Sequence, residues 1–239
     1  MDRSKKTFFH DFRGIFYPNA YRTRIGRKVG IVGLIVLLQI PRILLADGTV
    51  DTLVSVMARM HSTQPVKIHY RETRRLELLA KPWQGSGFFY ARPPAVMIKE
   101  QWYPQREIMA LNGSQMLYYD PFNDVRHAAQ LDTESALSVH VLAFQALLNG
   151  DLSRLKDSYR IAFQNQTGHW LITLLPRQDA ELTGINKISI KGPSGQPADR
   201  MEIDLLDGDR TVYELQAAEK TRLLDQKIDH LLAELQGNV

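Results

Sequence analysis

The sequence contains no cysteine, which excludes disulfide bonds, thiol catalysis and cysteine-ligated zinc. Its seven histidines are scattered, and no two of them have metal-ligand spacing with a carboxylate nearby. Gly85-Ser86-Gly87 lacks the spacing of a nucleophile elbow, and Gly192-Pro193-Ser194-Gly195 is typical of a turn rather than a phosphate loop. The sequence therefore predicts no metal site, no cofactor and no catalytic residue.

An excess of positive charge is also missing from most of the chain. Residues 1–46 hold nine Lys and Arg against two Asp and Glu, whereas the other 193 residues hold 21 against 24. The net charge of +4 and the basic isoelectric point therefore come from the N-terminal segment. A mildly acidic remainder offers no electrostatic basis for nucleic-acid binding.

No apolar run is long enough to cross a bilayer. The longest spans the twelve residues 29–40, directly after Arg27 and Lys28, and crossing about 30 Å of hydrocarbon needs roughly 20. A run of this length suits the apolar region of a signal peptide, with Ala46 before the cleavage point. We expect residues 1–46 to be a signal peptide or, if uncleaved, an N-terminal membrane anchor; a downstream start is the other alternative. Residues 47–239 are expected to form one domain.

Apolar periodicity and turn residues predict strands in two groups separated by helices. The predicted helices cover residues 49–60, 133–149 and about 219–235. The predicted strands cover residues 66–79, 84–92, 95–102, 106–111, 114–120, 124–128, 159–165, 169–175, 185–191, 200–206 and 211–216. This order excludes alternating parallel units. We expect an α+β, mainly β fold: a single curved antiparallel sheet, an unclosed half-barrel, with helices covering the concave face.

Several of the predicted strands are apolar on both faces. Phe88-Phe89-Tyr90 and Met116-Leu117-Tyr118-Tyr119 do not alternate with polar residues, as a sheet with one solvated face would. Either helices cover an ordinary two-sided core, or one face lines an apolar ligand cavity. Arg71, Arg74 and Arg75 are expected to mark a charged strand edge that discourages aggregation; the alternative is that they meet an acidic partner or a lipid head group.

The order of short motifs resembles that of the LolA family of periplasmic lipoprotein carriers. A strand ends at Arg92-Pro93, a second leads to Asn112-Gly113, and an aromatic strand ends at Pro121-Phe122; the resemblance covers most of residues 49–217. It implies a half-barrel whose apolar interior receives acyl chains. Segments 149–155, 170–176 and 206–211 resemble a divergent branch, which implies lipid cargo as an alternative to lipoproteins.

The resemblance also implies functional residues. Arg92 matches the arginine that holds the ligand-free lid closed in that family; the alternative is a solvated turn arginine. The family's aromatic four residues later is replaced here by Val96. The candidate residues of the acyl cavity are Phe88, Tyr90, Val96, Ile98, Met109, Leu117, Tyr119, Met57, Phe144 and Leu148.

These observations predict a monomeric, non-enzymatic carrier in the periplasm of a Gram-negative bacterium. It would take an acylated lipoprotein or a lipid from an inner-membrane donor complex to an outer-membrane acceptor. The alternative is a membrane-tethered interaction or sensing module on the same fold, without cargo. A periplasmic hydrolase is a third possibility, which no sequence motif supports.

Overall fold

The computed structural model describes residues 51–77, 79–131, 145–147, 149–177 and 184–238. Gly48–Val239 forms one compact unit. It contains twelve strands: β1 Val66–Arg75, β2 Trp83–Arg92, β3 Val96–Tyr103, β4 Glu107–Asn112, β5 Gln115–Asp120, β6 Val125–Gln130, β7 Tyr159–Gln166, β8 His169–Pro176, β9 Ile185–Pro193, β10 Arg200–Leu205, β11 Arg210–Leu215 and β12 Glu219–Lys220.

All twelve strands belong to one antiparallel sheet, which confirms the expected fold class. The order is β6-β5-β4-β3-β2-β1-β11-β10-β9-β8-β7, with β12 beside β1. Each half is a meander of consecutive hairpins, as short turns dictate, and the halves join where β1 pairs with β11. Strands β6 and β7 lie at opposite edges and do not pair, so the sheet is not closed.

Three helices have described bounds: α1 Leu53–Met60, α2 Leu152–Ser158 and α3 Leu224–Gln236. Residues 145–147 are also helical. The side chain of Thr52 caps α1 in a reciprocal capping box with Ser55, and α3 ends at Gly237 in the left-handed conformation. Within the described ranges, no helix has the length and apolar character that a membrane span requires.

The observed elements differ from the expected ones in three places. The first strand ends at Arg75, and an unexpected helix, α2, follows Asp151, whose side chain caps it. The C-terminal helix begins at Leu224 because residues 219 and 220 pair with β1 as β12. The expected helix 133–149 lies largely outside the described residues.

The two faces of the sheet carry two separate hydrophobic cores. Cross-strand partners share a face and successive residues alternate. We call one side the α1 face, because Val56 and Met57 of α1 pack there against β1, β2 and β7–β11. We call the opposite side the α3 face, because α3 packs there against β2–β5. The expectation that both sides of the apolar strands are covered is therefore met by different helices.

Candidate ligand-binding faces and their covers

The predicted cavity residues divide between the two faces. Tyr90 pairs with Ile98, and Phe89 pairs with Lys99, so neighbouring residues of one strand point to opposite sides. Met57 and Met109 belong to the α1 face, whereas Phe144 and Leu148 lie outside the described residues. The other six lie on the α3 face: Phe88, Tyr90, Val96, Ile98, Leu117 and Tyr119. The ten residues therefore do not line a single space.

The α3 face is already filled by its own helix. Spacing of three and four residues places the apolar side chains of α3 on one stripe, and they pack onto the six predicted residues together with Ile108 and Ala110. The apolar stripe of α3 consists of Ile228, Leu231, Leu232 and Leu235, all buried. Burying side chains of this size contributes roughly 1.5–3 kcal/mol each.

Arg92 contacts α3. It ends β2 on the α3 face, where its Nη1 lies 2.7 Å from Oδ1 of Asp229 and 3.5 Å from Oδ1 of Asp225. The two carboxylates are four residues apart, so they share one side of the helix. All three side chains are partly solvated, which limits such a pair to about 1 kcal/mol.

A second polar tie lies at the other end of α3. Arg106 Nη2 is 2.9 Å from Oε2 of Glu234 on α3 and 2.9 Å from Oε1 of the fully buried Glu100 on β3. The Tyr90 hydroxyl donates to Glu100 at 3.2 Å, and Lys227 Nζ lies 3.5 Å from it. The hydrogen bonds from Arg106 hold the pKa of Glu234 below its ordinary value. Sequence reasoning missed the contacts of Arg106 with Glu234 and of Lys227 with Glu100, because in each pair the partners are more than 120 residues apart.

The α1 face is aromatic under its cover. The Tyr70 and Phe89 rings lie 4.5 Å apart, and Tyr213 meets Tyr70 edge-on at 5.8 Å. Val56 and Met57, both buried, pack over this cluster from α1. Met201 also belongs to this core, and thioethers adapt to irregular neighbours.

The cover of the α1 face is attached at its ends. Before α1, the carboxylate of Asp51 accepts a hydrogen bond from the Gly195 amide at 2.9 Å and pairs with Arg59. The amide and the guanidinium together lower the pKa of Asp51. After α1, His61 Nδ1 donates to the Asn149 carbonyl at 2.7 Å. Among the described residues, no side chain between 53 and 60 forms an ion pair or hydrogen bond with a strand.

A buried charge network occupies the middle of the α1 face. Glu72 accepts hydrogen bonds from Arg74 Nε at 2.6 Å, Lys99 Nζ at 2.7 Å and the Tyr213 hydroxyl at 3.0 Å. Burial alone would raise the pKa of Glu72, but the two cations lower it below its ordinary value. Lys99 also lies 5.3 Å from the centre of the Tyr70 ring, a cation–π distance.

The arginine-rich segment of β1 does not form a strand edge, so that expectation is wrong. β1 pairs with β2 on one side and β11 on the other, at the middle of the sheet. Alternation places Arg74 on the α1 face, where it is 2% exposed and stacks on Trp83, and leaves Arg71 and Arg75 exposed on the α3 side. Arg74 can be buried because its guanidinium pairs with the buried carboxylate of Glu72.

A carboxyl group with a raised pKa lies beside this network. Glu107 begins β4 opposite Gln101 and is 7% exposed. Burial, reinforced by the charge of Asp120, raises the pKa of Glu107 to about 7. Asp120 itself accepts hydrogen bonds from Gln105 and from the backbone of Phe122.

An open groove lies among the described residues, and these residues contain no metal-binding cluster. The groove has a volume of about 360 Å³ and is lined by Lys67, His69, Phe88, Gln216, Ala217 and Glu219. Lys67 spans it, with Nζ 3.2 Å from Glu219 and 4.9 Å from the centre of the Phe88 ring. Across the described ranges, no group of three or more His, Asp or Glu is placed to hold a metal ion.

Comparison with solved structures finds similar chains at low sequence identity. A LolA superfamily protein from Nitrosomonas europaea is 10% identical, with 74% of this chain and 94% of that chain covered and a TM-score of 0.41. A domain named for outer membrane lipoprotein sorting, from Vibrio parahaemolyticus, is 7% identical, with 75% and 96% covered and a TM-score of 0.42. No curated protein sequence matches the chain.

One protein family matches most of the chain. Its description is "Outer membrane lipoprotein carrier protein LolA-like", and the match covers residues 46–218, which include α1, α2 and strands β1–β11. Only β12 and α3 of the described elements lie beyond the matched residues. The chain belongs to the LolA-like outer membrane lipoprotein carrier family.

Proposed function

We propose that this protein is a periplasmic carrier that binds the acyl chains of lipoproteins or related lipids. It works as a monomer in a Gram-negative bacterium, takes cargo from an inner-membrane donor complex and delivers it to an outer-membrane acceptor. The observation that supports this proposal best is the family match over residues 46–218. In this function the chain acts by binding and release and needs no catalytic residue.

We place the cargo on the α1 face, with Met57 and Met109 among its contacts. Displacing α1 would open the cluster of Tyr70, Phe89 and Tyr213, whose rings offer apolar surface to a hydrocarbon chain. The cover is a helix of eight residues, and a helix that short is stable only while it is packed. The side chains of α1 contact the strands through apolar surfaces, and the polar attachments lie at the ends, at Asp51 and His61; the middle of the cover can therefore be displaced without breaking a charged contact with a strand.

In such a carrier, the free energy gained by burying an acyl chain is opposed by the free energy needed to open the cover. Transfer of an acyl chain from water gains roughly 0.8 kcal/mol per CH₂. Opening the α1 cover subtracts the cost of separating Val56 and Met57 from the core. This cost lowers the apparent affinity, so that cargo can be released to an acceptor without ATP hydrolysis by this chain.

Arg92 keeps a gating role only if cargo binds on the α3 face instead. There, α3 would have to leave, and the pairs from Arg92 to Asp225 and Asp229 would have to break. The six predicted residues under α3 would then become the acyl contacts. A photoreactive fatty acid would therefore label different peptides for the two placements of the cargo.

Native mass spectrometry with lipid extraction tests the function on the protein recovered from the periplasm of its source cell. A co-purifying acylated species supports the carrier and identifies the cargo class. A ligand-free mass, together with no binding of fluorescent fatty acids, contradicts it and favours the tethered interaction module. Peptides labelled by a photoreactive fatty acid then locate the site: those with Met57 or Met201 for the α1 face, those with Leu117 or Leu231 for the α3 face.

The absence of cysteine provides a matched test of which cover moves. A single cysteine replaces Val54, which is 68% exposed on α1, or Leu223, which is 80% exposed just before α3. Each is labelled with an environment-sensitive dye. We expect fatty acid to change the dye signal at position 54 and leave it unchanged at position 223; the reverse result would place the cargo under α3.

A further inference from the structure

Exposed apolar side chains are concentrated at one end of the sheet. Among the described residues, eight large hydrophobic side chains are exposed, and six of them belong to strand ends or loops at the end where β3 and β5 finish. These six are Trp102, Tyr103, Phe122, Val125, Leu175 and Leu206. The other two, Val54 and Leu223, lie on and beside helices. The described hairpin turns between strands at the opposite end contain none.

Four of the six form what we call the aromatic rim: Trp102, Tyr103, Phe122 and Val125. Antiparallel pairing brings the end of β3, the end of β5 and the start of β6 to the same side. Trp102 is 56% exposed, Tyr103 55% and Phe122 80%. The rim therefore consists of three aromatic side chains and Val125, which project from the end of β3, the β5–β6 turn and the start of β6, rather than of one flat apolar patch.

Hydrogen bonds hold the loops of the rim in place. Gln105 of the β3–β4 loop donates to the carboxylate of Asp120 at 3.1 Å. The same carboxylate accepts from the backbone amides of Phe122 at 2.9 Å and Asn123 at 3.2 Å. Exposing aromatic residues costs free energy unless something covers them, and here the fold fixes them in the exposed position.

We propose that the aromatic rim docks on the surface of a phospholipid bilayer. Tryptophan and tyrosine have an apolar body with a polar end, which suits the layer between head groups and acyl chains. Exposed charges of both signs lie at the same end of the sheet, with Arg75 and Lys81 close to Glu77 and Asp209, so the docking rests on the aromatic side chains and not on a positive charge. Docking requires no cargo and is independent of the proposed carrier function.

The first test is sedimentation of residues 48–239, the compact unit that holds both cores, with lipid vesicles. One set of vesicles is phosphatidylcholine, and the other contains phosphatidylglycerol. We expect the protein to sediment with both sets to a similar extent, because aromatic side chains and not net charge hold it on the bilayer. Recovery of the protein in the supernatant with both sets would overturn the proposal.

Tryptophan fluorescence identifies the surface that inserts. The chain has three tryptophans; Trp83 is 5% exposed and Trp170 0%, so Trp102 is the one placed to meet lipid from outside. We expect vesicles with brominated acyl chains to quench the emission, and Trp102→Phe to abolish this quenching while the protein still sediments. Equal quenching in Trp102→Phe would overturn the proposal.

Two matched double variants separate the rim from general hydrophobicity. We expect Trp102→Ser with Phe122→Ser to lower vesicle partitioning at least about tenfold, because two projecting aromatic side chains are lost. The control, Val54→Ser with Leu223→Ser, removes two exposed apolar side chains elsewhere and should leave partitioning unchanged. A loss of the same size in the control would overturn the proposal, and circular dichroism verifies that both variants are folded.

Discussion

The two faces of the sheet are covered in different ways. α3 has 13 residues and is tied to the strands by Arg92, Arg106 and Lys227 through ion pairs with distances from 2.5 to 3.5 Å. α1 has eight residues and, among the described ones, no polar side-chain bond to a strand. Both helices bury apolar side chains, yet only α3 is also tied to the strands by charges.

This difference separates a fixed cover from one that can move. Removing α3 would expose Glu100 and break the ion pairs of Lys227 with Glu100 and of Glu234 with Arg106, in addition to uncovering the apolar stripe. Lifting the side chains of α1 from the sheet separates apolar surfaces, which an acyl chain can replace with surfaces of the same kind, while hydrogen bonds of Asp51 and His61 hold the ends of the helix. The faces also differ in family coverage, because α3 lies beyond the matched residues and α1 lies within them.

The largest expected effect compares the buried carboxylates of the two faces. Glu72→Ala should lower the free energy of unfolding by about 3–5 kcal/mol, since Arg74 and Lys99 are left buried without their partner. Glu100→Ala should cost less, because Arg106 and Lys227 are 31% and 36% exposed and can regain water. Urea denaturation measures both, and equal losses would contradict this distinction.

Leucine and methionine truncations test the two covers. Leu231→Ala in α3 and Met57→Ala in α1 should each lower the free energy of unfolding by about 2–5 kcal/mol, because both side chains are buried. Only Met57→Ala should change the affinity for a fluorescent fatty acid, measured by titration. A change confined to Leu231→Ala would move the cargo to the α3 face.

Glu107 gives the α1 face a pH dependence. Its pKa in the folded protein, about 7, is above its ordinary value of 4.5, so its ionisation destabilises the fold as the pH rises through that interval. Glu107→Gln should therefore raise the free energy of unfolding at pH 8 by on the order of 2 kcal/mol, and the gain should vanish below pH 4.5. The control, exposed Glu77→Gln, should show no such trend; a pH-independent gain would contradict the assignment.

The junction behind α1 is tested with two glycines. Gly150 has φ +65°, and a Cβ there would lie 2.4 Å from the carbonyl oxygen of Met57. Gly113 has a similar φ of +63° but open space around it. Gly113→Ala should cost only backbone strain, about 1 kcal/mol, and Gly150→Ala about 1–3 kcal/mol. Thermal unfolding that ranks them equally would show that the turn and α1 are not closely packed.

The smallest effect is expected at Arg92. Arg92→Ala should lower the free energy of unfolding by less than about 1 kcal/mol, because its pairs with α3 are solvated. It should leave fatty-acid affinity unchanged if cargo binds on the α1 face. A clear rise in affinity would instead support Arg92 as the gate of the α3 face, with Asp225→Asn and Asp229→Asn expected to act in the same direction.

Local chemistry made the meander predictable. The turn at Asn112-Gly113 and the apolar runs around it determine the hairpins from β2 to β5, and the expected strands there agree with the observed ones within about two residues. The unclosed antiparallel sheet followed from strand order and short turns. The position of β1 in the sheet did not follow, because its pairing with β11 joins residues 135 or more positions apart. Without that pairing, the charges of Arg71, Arg74 and Arg75 indicated a strand at the edge of the sheet.

The sequence by itself determined the class of fold, the family and the apolar character of both faces of β2–β5. Only the tertiary structure decided that α1 covers one face and α3 the other, because strand alternation places residues on two sides without naming the helix that packs on each. The candidate cavity was therefore divided, with Tyr90 under α3 and Met109 on the α1 face. The same long-range packing buries Glu72 with Arg74 and Lys99, a network whose members become neighbours only in the folded sheet.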